Sequence, residues 1–218
     1  VLLIDMDPQA NATSGLGMKA DGVTIQDILF NPGLISSAIY ASGWKNLDIL
    51  PAKNELANAE VNLVNEQARE VRLKNAIMPL AYDYILIDCP PALSLLTINA
   101  LTASTDVIIP VQTEYYAMEG LGQLLQTISA VRTALNPELE LLGVVMTMYD
   151  KRTSLSSQVK KDIDEHLQGK VFETIIPRNV RLAEAPSHGK PIFAYEKWSK
   201  GSKAYKQLAK EVQKRLNR

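Results

Sequence analysis

Three carboxylates stand where this chain could do chemistry. Asp5 and Asp7 follow the apolar run of residues 1–4, VLLI, and Asp88 ends the run of residues 84–87, YILI. Short apolar runs bounded by turn residues read as buried strands of a parallel sheet. Each run therefore delivers its acids to the C-terminal edge of a sheet, where open α/β folds bind ligands. A hard divalent cation takes oxygen ligands, and a strand end holds one rigidly. Asp88 is thus a candidate to support Mg²⁺, directly or through a water. Pro90 and Pro91 stiffen the exit by fixing φ. Residues i and i+2 of a strand share a face, so Asp5 and Asp7 reach one pocket if the strand continues to residue 7. One acid would orient a water or an outer-shell group and the other would position an attacking water. A purely structural reading makes Asp7-Pro8 turn punctuation and Asp5 a buried acid bonded to backbone N–H groups. The residues alone leave both readings open.

The elements that must position these acids alternate. Strands are expected at residues 1–4, 47–50, 84–88, 107–111, 141–147 and 171–176. Helices are expected at 24–30, 55–78, 93–103, 119–135, 154–167 and 203–216, with a long loop at 177–191. The 55–78 helix rests on Leu56, Ala59, Leu63, Val64, Ala68 and Val71 at spacings of three and four, and Pro79 stops it. Strands alternating with helices imply βαβ units, hence an α/β fold with a doubly wound, mostly parallel sheet flanked by helices. A single domain over residues 1–218 is expected.

Composition narrows the class. The chain has 218 residues, 46% hydrophobic and 22% charged, which suits an ordinary globular protein. The single cysteine, Cys89, excludes an internal disulfide framework and a multi-cysteine metal cage, and a reducing cytosol is expected. At a strand end it reads as a small buried hydrophobe. No apolar run approaches the roughly 18 residues of a membrane span. Residues 151–218 carry 16 Lys and Arg against 7 Asp and Glu, whereas the rest carries 7 against 17. That asymmetry suggests a polyanionic partner at the basic end, or a solvated Lys-rich terminal helix.

Five stretches then occur in order: DMDPQANATSGLG at 5–17, REVRLK at 69–74, DYILIDCPPALSLLTINAL at 83–101, PVQTEYYAMEGL at 110–121 and IPRNVRLAEAPSHGKPI at 176–192. Together they resemble the ParA/Soj family of partitioning ATPases over nearly the whole chain. The resemblance implies a P-loop NTPase-like ATPase that binds ATP and Mg²⁺, dimerises face to face around two nucleotides, and then binds DNA without sequence preference. A ParB/Spo0J-like centromere-binding partner would stimulate hydrolysis and release it. The implied place of action is the cytoplasm, on the nucleoid, with no membrane. By resemblance Asp7 positions the hydrolytic water, Asp88 supports Mg²⁺ through water, and Asp5 supports the same region from the outer shell. Pro177 and Asn179 match positions that frame the adenine, and Arg152 and Arg181 match positions that contact DNA. Lys151, Lys160, Lys161, Lys170 and Lys190 are available near them.

One departure from the family pattern is large. Its Gly-rich phosphate loop, with two lysines, precedes the VLLIDMDPQ strand, and no GxxxxGK[ST] or GKGGxGK-like run occurs in these residues. The backbone N–H groups and lysines that would hold phosphates are therefore assigned to no residue here. A parallel core strand with no preceding element is an unusual start. The expectation is a fragment or truncated product lacking the P-loop strand, which as written neither binds ATP normally nor folds stably.

Other features carry less. One cysteine per chain argues against the related nitrogenase iron protein, whose cluster takes two from each subunit. His166 reads as a surface residue and His188 as structural. Tyr115-Tyr116 reads as packing at the sheet edge rather than base stacking. The last helix places Tyr205, Leu208, Ala209, Val212 and Leu216 on one face. It reads as docking on the domain, the alternative being a MinD-like membrane-associated regulator of division-site placement. A nucleotide-free interaction module is the non-enzymatic alternative.

Overall fold

Strand pairing places the acids. The computed structural model describes residues 1–114 and 117–217. In chain order these form β1 (Leu2–Asp5), α1 (Asn11–Gly15), α2 (Ile25–Phe30), a 3-10 turn at Pro32–Leu34, α3 (Ile35–Ala38), β2 (Tyr40–Ala41), β3 (Asp48–Leu50), α4 (Leu56–Leu63), α5 (Arg72–Ile77), β4 (Ile85–Asp88) and α6 (Leu95–Ala103). There follow β5 (Asp106–Gln112), α7 (Ala117–Ala134), β6 (Glu140–Thr147), α8 (Ser154–His166), α9 (Val180–Glu184), a second 3-10 turn at Ala185–His188, α10 (Ile192–Tyr195) and α11 (Lys200–Leu216). Two compact units result: Val1–Ser104 with Ala130–Pro137, and the remainder.

In the first unit the sheet order is β2-β3-β1-β4. β1 runs parallel to both β3 and β4, and the short β2 is antiparallel on β3. A central parallel strand has both faces covered, which is why Leu2 and Ile4 are fully buried. Over them pack Ile25, Ile28 and Leu29 of α2, Leu56, Ala59 and Leu63 of α4, Leu73 and Ala76 of α5 and Leu96 of α6. The Asp27 carboxylate reaches back to accept the Thr24 N–H at 2.8 Å, closing the start of α2. β4 departs from the fully buried strand expected. It pairs only with β1 among the described residues, and Leu86 is 53% exposed.

The single helix expected over residues 55–78 is two helices. Ala68 adopts a left-handed φ of 51°, and α4 ends at Leu63 while α5 begins at Arg72. The broken turns leave carbonyls without helical partners, and two arginines take them. Arg69 donates to the Val64 carbonyl, and Arg72 donates to those of Gln67 and Leu29. Asn99, fully buried on α6, locks the same corner. Its Oδ1 accepts the Leu73 N–H at 3.2 Å and its Nδ2 donates to the Arg69 carbonyl at 2.7 Å.

In the second unit β5 and β6 pair in parallel, with one register shift between Val107 and Ile108. The strand expected at 171–176 is not regular. Its ends bond along β6, through Phe172 N–H to the Val144 carbonyl and Ile176 N–H to the Met146 carbonyl, both under 3 Å at 2.8 and 2.9 Å. Between them the N–H groups of Glu173 and Thr174 turn to the Glu211 carboxylate on α11. Arg215, with its side chain 8% exposed, donates to the Leu142 and Val171 carbonyls, pairs with Glu211 at 3.1 Å and lies 3.9 Å over the Phe172 ring. Part of the apolar face of α11 is occupied in this packing, while Tyr205 and Ala209 of the expected face are exposed. Ala204, Leu208 and Val212 join the cluster of Val145, Phe172 and Ile176. Gly201 allows α11 to come close, since a Cβ there would lie 2.5 Å from Leu182 Cγ. The 177–191 loop holds α9 and a 3-10 turn, started by Asn179, whose Oδ1 accepts the Arg181 N–H at 2.9 Å.

Candidate functional site

β1 and β4 bring two of the acids side by side: Asp5 and Asp88 are register partners at the ends of adjacent parallel strands. The Met6 N–H bonds the Asp88 carbonyl at 2.8 Å, so pairing runs one residue past β1 and carries Asp7 to the same edge. The three carboxylates then differ in what they are free to do. Asp5 is fully buried and its oxygens are spent. Oδ2 accepts from the Thr13 N–H at 2.8 Å and hydroxyl at 2.7 Å, and Oδ1 accepts from the Asp7 N–H at 3.1 Å. Thr13 Oγ1 in turn accepts the Ala52 N–H at 3.1 Å. Asp5 thus ties the loop after β1 to the segment after β3, and Thr13 is a partner that the acids alone did not reveal.

Asp7 is half-buried. Its Oδ1 accepts the Gln9 N–H at 2.9 Å, and its other carboxylate oxygen has no partner among the described residues. The turn beneath it is strained: Ala10, a non-glycine residue, adopts a φ of 52°. Desolvation and the charges of Asp5 and Asp7 push Asp88 up to about 6. Because the residue is exposed, solvent moderates the desolvation, and repulsion between carboxylates is the durable part. Hard oxygen donors in a negative field suit Mg²⁺. Among the described residues no three acids, histidines or cysteines form a closed metal cage. Mg²⁺ commonly takes one or two carboxylates plus waters and phosphates, so the donor set fits that mode of binding. Cys89 is exposed, contrary to the buried residue expected, and its sulfur lies 3.8 Å from the Ile87 carbonyl.

The other candidate residues lie in the second unit. A cleft of about 780 Å³ there is walled by Arg152, Pro177 and Arg178 on one side and by Lys200 and Lys203 of α11 on the other. Exposed Arg152 is clamped by Asp150 through Nε–Oδ1 at 3.0 Å and Nη2–Oδ2 at 2.7 Å. That hydrogen bonding holds the Asp150 carboxyl well below the usual carboxylate range. Arg181 is not on the cleft wall. It pairs with Glu184 at 2.8 Å, which also accepts from the Tyr195 hydroxyl at 3.1 Å, and His188 stacks on Tyr195. Asn179 starts α9, next to Arg181. Of the lysines expected near the two arginines, only Lys151 lines the cleft. Lys160 and Lys161 pair with Asp164 and Glu165 along α8, and Lys170 donates to the Leu141 carbonyl. Arg178, Lys200 and Lys203 were not singled out from the sequence. The Asp150 and Glu184 clamps were legible as acid–arginine spacings of two and three. His166 is exposed, and Tyr115-Tyr116 lies outside the described residues. Among the described residues no helix is long and apolar enough to cross a membrane.

Comparison with known proteins agrees with this architecture. Residues 1–141 match a family model described as an AAA domain. The sporulation initiation inhibitor protein Soj of Bacillus subtilis (strain 168) is 54% identical over 216 residues, covering 97% of this chain and 85% of that protein. The chromosome partitioning protein ParA of Myxococcus xanthus is 50% identical over 218 residues, covering 98% and 77%. Among solved structures, cobyrinic acid a,c-diamide synthase from Mycobacterium smegmatis, with bound ATP analog and magnesium, superposes with a TM-score of 0.82. It is 36% identical, over 99% of this chain and 82% of that one. The mostly parallel sheet and its flanking helices are therefore a P-loop NTPase-like α/β fold. Identity of one half or more over nearly the full chain means that the chain belongs to the ParA/Soj family of partitioning ATPases.

Proposed function

We propose that this chain is the hydrolytic and DNA-binding part of an ATP-driven partitioning switch. One observation carries the reading. Asp7 holds a carboxylate oxygen with no partner among the described residues, at the same sheet edge as Asp88, in a chain of a partitioning-ATPase family. Asp7 orients the attacking water, accepting its hydrogen bond at the free oxygen while Gln9 fixes the other. Asp88 supports Mg²⁺ through water. The ion, when bound, neutralises charge on the phosphates. Asp5 acts at one remove, by holding the loop that aims Asp7. Pro177 and Asn179 frame the adenine. Arg152 and Arg181 contact phosphates of DNA, which need point charges and tolerate any sequence. ATP binding promotes a homodimer that holds DNA on the nucleoid, and a ParB/Spo0J-like partner stimulates hydrolysis and release.

Two measurements test this. The 218-residue chain, which contains no Gly-rich phosphate loop, binds ATP more weakly than micromolar by calorimetry; micromolar affinity would refute that part. With a GKGGxGK-type segment joined in frame before Val1, steady-state ATP turnover appears, and Asp7→Ala lowers it about 100-fold or more while retaining nucleotide. Undiminished turnover in Asp7→Ala would remove Asp7 from the mechanism.

A further inference from the structure

We infer that Thr13 is a positioning residue for hydrolysis: its buried hydroxyl fixes the loop after β1 to the segment after β3 and thereby sets the direction of the Asp7 carboxylate. The inference rests on the proposed role of Asp7. Thr13 is only 3% exposed. A hydroxyl offers one donor and two acceptor sites, and both kinds are used here. Oγ1 donates to Asp5 Oδ2 at 2.7 Å and accepts the Ala52 N–H at 3.1 Å. Ala52 belongs to a fixed frame. It lies just past Leu50, which pairs with Ile4 across β3 and β1, and the carbonyl of the intervening Pro51 accepts the Ile25 N–H at 3.0 Å. The place of the hydroxyl is therefore set by the sheet rather than by the loop itself.

The loop is closed on that anchor. The Asp5 carboxylate bridges its two ends, Oδ1 accepting the Asp7 N–H at 3.1 Å and Oδ2 the Thr13 N–H at 2.8 Å. Inside the ring the Asp7 carbonyl accepts the Ala10 N–H at 2.9 Å, and the Ala10 carbonyl accepts the Ser14 N–H at 3.0 Å. The left-handed φ of 52° at Ala10 persists because these bonds over-determine the turn. Removing the Thr13 hydroxyl takes a donor from Asp5 and leaves the buried Ala52 N–H without its acceptor. Relief comes by moving the loop, and Asp7 moves with it. A reacting group misplaced by about 1 Å can cost about 100-fold in rate. Thr24 is a natural control in the same unit. It is also 3% exposed, but its hydroxyl bonds Asp27 at 3.2 Å and serves the start of α2.

The test uses the chain with a GKGGxGK-type segment joined in frame before Val1, assayed well below the Tm of every variant. Thr13→Val keeps the side-chain shape and removes the hydroxyl. Its kcat for ATP should fall about 10-fold or more while KM holds, and Thr13→Ser should restore kcat. Thr24→Val should lower Tm and leave kcat unchanged. Because Thr13 acts through Asp7, Thr13→Val should cost nothing further in an Asp7→Ala background. A measurement without nucleotide or substitution stands beside these. The Asp7, Thr13 and Ala52 amides of the wild-type chain should exchange hydrogen with one common protection, as parts of a single opening unit. Unchanged kcat in Thr13→Val, no rescue by Thr13→Ser, an equal loss in Thr24→Val or in the Asp7→Ala background, or unrelated protection at the three amides would each overturn the inference and leave the role of Asp7 standing. Undiminished turnover in Asp7→Ala would remove that role, and the inference with it.

Discussion

The acidic strand ends of the first unit and the basic cleft of the second place charge by opposite means. Asp5 and Asp88 are set by strand register and by backbone N–H groups, with Asp5 wholly buried. Arg152 on the cleft wall, and Arg181 outside it, are exposed and are oriented by single carboxylates, Asp150 and Glu184. A buried carboxylate accepting three hydrogen bonds is part of the fold, and removing it strands the donors. An exposed ion pair is screened and easily exchanged, so it can be given up to a ligand. The strand ends are built for fixed geometry, and the cleft is built for exchange.

The largest effect that could break this contrast is at Asp5. Asp5→Ala leaves the Thr13 and Asp7 N–H groups unpaired in the interior and should cost about 3–5 kcal/mol in chemical denaturation. Asp150→Ala, which removes only the partner of the solvent-exposed Arg152, should leave the denaturation midpoint almost unchanged. Comparable losses in the two variants would erase the distinction.

A smaller effect sharpens it at Asp88. Its folded pKa of about 6 lies above the ordinary carboxylate value near 3.9. Between those pH values the native state holds more proton than the unfolded chain, so this group lowers stability as pH rises from about 4 to 6. Asp88→Asn should remove that dependence and raise Tm at pH 7 by about 2 °C, solvent screening of the exposed group keeping the effect small. A Tm that drops at pH 7 would mean that the carboxylate is stabilising and that the repulsion argument is wrong.

The smallest effect concerns the clamp on Arg152. Asp150→Asn weakens the competitor for the guanidinium, and duplex affinity by anisotropy should rise a few-fold. A fall in affinity would instead make Asp150 a residue that positions Arg152 for DNA.

Much of the fold was readable from apolar runs. The acids were legible because a strand end is a local pattern: Asp5 and Asp88 each close an aliphatic run, and both runs became β1 and β4. Where the chain departs from expectation, distant groups decide. Periodicity continued through residues 64–71, but Arg69 and Arg72 capture the carbonyls there and the helix divides. The stretch at 171–176 has strand composition, yet Glu211, far along the chain, takes two of its N–H groups. The cleft was only partly legible. Arg152 came from resemblance, while Arg178, Lys200 and Lys203 carry no local motif and are gathered only by the pairing of Tyr149 with the 176–178 segment and the docking of α11.

By itself the sequence determined an alternating α/β chain, its ParA/Soj pattern, three acids at two strand ends and a basic final third. These follow from side-chain period and order along the chain, which need no partner. The tertiary structure alone decided which acid is spent and which is free. Asp5 is consumed by Thr13 and by the Asp7 backbone, while Asp7 keeps an oxygen open. It also decided which cations converge on the cleft. Both outcomes depend on hydrogen-bond and ion-pair partners remote in sequence, and only folding sets those distances.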